Sequence, residues 1–205
     1  MFSITIIIVA VTVLISIAAF NNDEIYNKLI LWPRAMHGNP AEYYRLLTSG
    51  FIHADWNHLF FNMFTLYFAG ESAEEATNSG GLFMLLYLSG IIISSLPSFV
   101  KNRNNSYYRS LGASGGVSAI LFLMIYFHPW DGIGIIFIPI HIPCIIFGGM
   151  YLAYEYYMSK RGDTNINHDA HLWGALYGLL FAFCIDPTHG ARLIEDLMHP
   201  QIHLF

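Results

Sequence analysis

Residues 112–128 read GASGGVSAILFLMIYFH: three glycines and a serine within five positions, then a largely apolar run, with Ser118 inside it, closed by a histidine. A run of this length and polarity suits a helix crossing a hydrocarbon core, which takes about 17–25 residues. Working outward, hydropathy gives five more segments of the same kind, so that spans are predicted at about 4–20, 58–73, 81–99, 112–128, 140–158 and 169–185. The loops between them are richer in Asn, Asp, Pro and charge. The expected fold is therefore an all-α polytopic membrane protein, a single domain over residues 1–205 with six transmembrane helices and a short polar tail at 186–205 that frays.

Composition supports this. Of the 205 residues 55% are hydrophobic and 11% charged, and the mean hydropathy is +0.48. A net charge of −5 without a dense Lys/Arg cluster excludes the electrostatic footprint of a nucleic-acid partner. Cys144 and Cys184, both inside apolar segments, read as buried small hydrophobes rather than a disulfide. The run from Ile4 to Phe20 lacks a basic leader and a small-residue cleavage site, and reads as a retained membrane helix. The long first loop, Asn21 to Asn57, is rich in Trp and Tyr and suits the membrane interface. Gly132 to Pro143, broken by Pro139 and Pro143, is expected to begin extended before the fifth helix.

Polar side chains at membrane depth are costly and mark function. Three clusters qualify, each near the start of an even-numbered span and so on one membrane face: His58 with Asn62, Ser114, and His171. Ser114 lies in Gly112-Ala113-Ser114-Gly115-Gly116, where glycines permit a tight turn into a helix whose N-terminus favours developing negative charge. Alone, such a motif more often only packs helices. His171 precedes Gly174 and Gly178, small residues four apart that let two helices approach closely and place the histidine on the contact face. An imidazole beside a serine supplies the base that a weak hydroxyl nucleophile needs. His58 and Asn62, four apart, can aim two donors at one point, as an oxyanion requires. The separated His128 and His141 lack metal-site spacing, so no metal and no cofactor is expected.

These residues resemble the rhomboid intramembrane serine proteases over most of the chain. The resemblance rests on Gly112-Ala113-Ser114-Gly115, on Ala170-His171 followed by Gly174 and Gly178, and on His58 and Asn62 preceded by His53. Tyr44-Arg45 and Gly70 to Glu74 match structural motifs of that family. It implies catalytic Ser114 and His171 acting as a dyad without an acidic third member, and oxyanion stabilisation by His58, Asn62 and the Ser114 backbone N–H. Gly112, Gly115, Gly174 and Gly178 are then supporting residues, the partners are transmembrane protein substrates and the lipid bilayer, and the oligomeric state is open. Asp169, two positions from His171, points elsewhere on a helix. Ser118 stands where the family often stacks an aromatic ring on the histidine, which leaves open what holds the imidazole.

The resemblance also implies a multi-pass protein, of the inner membrane if bacterial, with its active site on the non-cytoplasmic side. The charge pattern points the other way. Eight basic residues, Lys28, Arg34, Arg45, Lys101, Arg103, Arg109, Lys160 and Arg161, fall on the Ser114 side and only Arg192 on the other. Two rivals remain: a catalytically inactive rhomboid-like client-binding protein, marked by loss of the serine or histidine, and a channel or transporter, marked by polar residues running through to the far face.

Overall fold

A computed structural model describes residues 3–135, 138–162 and 166–198 and is mostly helical. Its elements are α1 (Ile4–Phe20), α2 (Asp23–Leu29), α3 (Pro33–Met36), α4 (Arg45–Thr48), α5 (Trp56–Thr77), α6 (Gly80–Asn102) and α7 (Ser114–Phe127). There follow a hairpin of β1 (Gly132–Ile135) and β2 (Ile138–Pro143), then α8 (Cys144–Arg161), α9 (His168–Ile185) and α10 (Pro187–Met198). The six predicted spans fall on α1, α5, α6, α7, α8 and α9. Among the described residues only α6 is both long and apolar enough by itself to cross a membrane, while α1 and α7 are shorter apolar helices.

α7 is the centre. Every residue from Gly115 to Tyr126 is buried, because small residues bring neighbours in on two sides. A Cβ on Gly174 would lie 2.2 Å from the Gly115 carbonyl oxygen, and one on Gly178 equally close to that of Ala119, so α9 rides directly on the α7 backbone. On the opposite flank a Cβ on Gly116 would meet the Tyr87 carbonyl of α6 at 2.9 Å. α8 is the contrast, with only Cys144, Gly148 and Glu155 buried along its length.

α1 is tied down by Glu74 of α5. Its carboxylate accepts from the backbone N–H groups of Ile4 (2.9 Å) and Thr5 (3.1 Å) and from the Ser3 and Thr5 hydroxyls, satisfying orphan donors at a helix start. Gly70, one turn earlier, leaves room for Thr5. The first loop is stitched internally by buried Arg45, which donates to the carbonyls of Asn27 (2.7 Å) and Ile30 (2.8 Å).

Three expectations need correction. The segment before the fifth helix is extended as expected, paired as a two-stranded hairpin with Gly132 opposite Pro143, but α8 begins at Cys144 rather than near 140. Ile138 and Ile142 each precede a proline, which drives them extended. The tail does not simply fray: Asp186 caps α10, its carboxylate accepting from the N–H groups of Thr188 and His189 (both 3.1 Å), with Pro187 at the first helical position. Tyr126 holds the junction by donating to the Asp186 carbonyl at 2.8 Å. Residues 199–205, with His199 and His203, lie outside the described residues. Cys184 is exposed, while Cys144 is buried.

Candidate active site

The approach to Ser114 is fixed before the helix begins. Leu31 and Ser110 exchange backbone hydrogen bonds (3.0 and 3.2 Å), the Gly112 N–H donates to the Ser49 carbonyl (2.9 Å), and the Ala113 N–H donates to His53 Nε2 (3.3 Å). The first loop thus anchors the three residues leading to the serine. Gly112 has φ +115°, closed to other residues without strain, and a Cβ there would lie 2.6 Å from Cε1 and 2.7 Å from Nε2 of His58. The His58 ring therefore rests on Gly112, two residues from Ser114, and meets His53 edge-on at 4.9 Å.

Ser114 opens α7 and its neighbour Gly115 touches Gly174, three residues beyond His171 on α9. A Cβ on Gly115 would be 3.6 Å from the carbonyl oxygen of Ala170, the residue before His171. The crossing that brings α7 and α9 backbones together therefore flanks itself with Ser114 and His171. The first-turn N–H groups of α7 have no intrahelical acceptor, which leaves the Ser114 amide able to serve an oxyanion. Asn62, buried, spends one amide N–H on the His58 carbonyl (2.9 Å), leaving the other.

Two features were missed in the sequence. Tyr151 of α8 stacks on the His171 ring (6.5 Å between centroids, 24° between planes), and its hydroxyl meets Ser118 Oγ at 2.7 Å. The aromatic ring absent from position 118 is supplied by another helix, and Ser118 anchors it. The second is an acid: Glu155 Oε1 lies 3.0 Å from His171 Nδ1 and Oε2 lies 2.6 Å from Nδ1 of buried His168. The expectation of a histidine without an acidic partner is thereby corrected. It failed because Glu155 is 16 residues away on a different helix, where sequence spacing carries no signal. An i,i+4 reading of Tyr151 and Glu155 as one polar stripe could have raised them. Asp169 faces Lys101 (3.0 Å) and Ser159 instead.

Glu155, His168 and His171 also place one carboxylate oxygen and two imidazole nitrogens within 4.8 Å of one another, a set that can hold a divalent ion. Elsewhere, a cavity of about 690 Å³ opens between α5 and α8, lined by Phe64, Phe68, Leu121 and Phe147 and floored by His128 and Asp131. It lies at the end of the bundle remote from Ser114. His128 has the Asp131 carboxylate at 3.4 Å.

A mostly helical bundle that sets serine, histidine and amide groups toward one end of a tightly packed apolar centre defines a class, helical proteins that keep polar groups inside an apolar fold. A profile of the Rhomboid domain matches residues 40–187, which include Ser114, His171, His58, Asn62, Tyr151 and Glu155. The chain belongs to the rhomboid family. It is 35% identical over 147 residues to RHOMBOID-like protein 12, mitochondrial, of Arabidopsis thaliana, covering 63% of this chain and 43% of that protein. It is 27% identical over 193 residues to Rhomboid-like protein 11, chloroplastic, of the same plant (90% and 68%), and 29% identical over 171 residues to the human Presenilin-associated rhomboid-like protein, mitochondrial (78% and 41%). The chain thus spans less than half the length of two of these relatives.

Proposed function

We propose that this protein is an intramembrane serine endopeptidase, a six-span bundle that hydrolyses peptide bonds in or near transmembrane segments of other proteins. The observation that carries the reading is the Gly115–Gly174 contact, which sets Ser114 and His171 on either side of one helix crossing beside the His58 ring. In the reaction Ser114 Oγ attacks the scissile carbonyl while His171 Nε2 takes its proton. The tetrahedral oxyanion is met by the Ser114 N–H, the His58 ring and the remaining Asn62 N–H. His171 then protonates the leaving amine, and water, activated by the same imidazole, releases the acyl group. A substrate helix hides its peptide bonds until it unwinds, so access runs from the bilayer between α5 and α8, where α8 is sparsely buried.

The rival client-binding reading would be marked by loss of the serine or the histidine, and both are present. A channel is disfavoured by the continuous burial of α7. The test is cleavage of a fluorogenic transmembrane peptide by detergent-purified protein. Cleavage by the wild type that vanishes in both Ser114→Ala and His171→Ala is expected; undiminished cleavage by either variant overturns the proposal.

A further inference from the structure

We infer that Glu155 is the positioning residue of His171, so that the site works as a Ser114–His171–Glu155 triad in which α8 supplies the carboxylate. This rests on the reading of Ser114 and His171 as nucleophile and base. Glu155 is 4% exposed on a helix that otherwise turns most of its side chains outward, among them Tyr154 and Tyr156 on either side of it. A carboxylate is taken out of water only where partners compensate. Here both oxygens are engaged by imidazole Nδ1 atoms, at 3.0 Å to His171 and 2.6 Å to His168.

The consequence for His171 is chemical. An ionised carboxylate only accepts hydrogen bonds, so Nδ1 of His171 carries the proton and Nε2 keeps the lone pair, the tautomer that a general base needs. When Nε2 takes the serine proton, the imidazolium forms against a fixed negative charge. His168 holds the second oxygen, so the carboxylate cannot swing off His171. Tyr151, one helical turn before Glu155 on the same face of α8, lies along the imidazole plane with its hydroxyl on Ser118. Edge and face of the ring are thus fixed by one turn of one helix.

The experiment compares Glu155→Gln, which keeps size and removes charge, with the wild type for kcat, KM and thermal unfolding in detergent. Loss of the positioning carboxylate is expected to lower kcat by about a hundredfold or more, with KM and Tm nearly unchanged, and Glu155→Asp to recover part of the loss. A Gln variant with wild-type kcat overturns the inference, and so does one whose defect lies in Tm or KM alone, since that marks a structural role. Activity abolished by a chelator and restored by zinc overturns it too, making Glu155 a metal ligand. Should the Gln variant not fold, the wild type decides: histidine-labelled protein is expected to show a low-field proton on His171 Nδ1, and its absence counts against the triad. Wild-type protein that cleaves nothing, or cleaves without Ser114, instead removes the protease reading itself.

Discussion

His53 shows how one neutral side chain can hold a site together. It is fully buried, accepts from the Ala113 N–H through Nε2, and through Nδ1 meets Ser16 Oγ (2.9 Å), whose hydroxyl reaches the Phe51 carbonyl (3.0 Å). A second proton would turn Nε2 into a donor facing another donor. Burial, helped by the nearby His58, holds its pKa down to about 3, below the usual histidine range. Because the folded value is depressed, the unfolded chain binds the proton first, so this contribution to stability is complete above about pH 6.5 and is lost as pH falls toward 3. Thermal unfolding followed from pH 7.5 to 4.5 should show a falling Tm whose slope is reduced in His53→Gln; equal slopes would contradict the assignment. At the same scale, Asn62→Ala should lower kcat by about a hundredfold while KM changes little, as steady-state kinetics would show. An unchanged kcat would make Asn62 a structural residue. Ser114, His171, His58 and Asn62 were legible because each combines polarity, depth and local spacing. Tyr151 and Glu155 were not, because what places them is the packing of α8 on α9.

Among the elements, the small-residue contact between α7 and α9 was readable as Gly174 and Gly178 at helical spacing, and the structure shows the atoms it meets to be the α7 backbone at Gly115 and Ala119. Gly178→Ala forces the helices apart and should destabilise the fold by about 1–3 kcal/mol, as chemical or thermal unfolding in detergent would register. In the loop joining α8 to α9, residues 163–165 lie outside the described residues. Glu155 and Ser159 tie the Ser114-side half of α8 to His168, His171 and Asp169 on α9. On the proposed function, movement that admits a substrate would separate α8 from α5 and leave α8 and α9 together. A disulfide joining the outer ends of α5 and α8 should slow cleavage of transmembrane substrates and release them on reduction, whereas one joining α8 to α9 should leave activity intact. Full activity with the α5–α8 bond formed would rule out this route.

For the whole molecule, the order of helices was visible in hydropathy, while the hairpin and α10 were not, since both arise from proline and capping geometry that an apolar window averages away. Orientation is where charge counting and family resemblance part. Several of the eight basic residues on the Ser114 side are engaged: Arg45 with Glu42, Lys101 with Asp169, and Arg109 over the Trp32 ring at 3.7 Å. Orientation is set by Lys and Arg as the chain inserts, before such contacts form, so the charge count and the resemblance make opposite predictions that labelling separates. A single cysteine at exposed Ser106, in a background lacking Cys144 and Cys184, should react with an impermeant maleimide from outside when the protein is made in a bacterial inner membrane. Protection there, with labelling only after lysis, would reverse the orientation.

The central claim is that Ser114 is a nucleophile activated by His171, and covalent labelling tests it without knowledge of the natural substrate. Purified protein treated with a fluorophosphonate and mapped by mass spectrometry should carry the adduct on Ser114, and lose it in His171→Ala while that variant keeps the wild-type Tm. Labelling of Ser114 that is indifferent to His171, or no labelling of Ser114 in folded wild-type protein, would contradict the account.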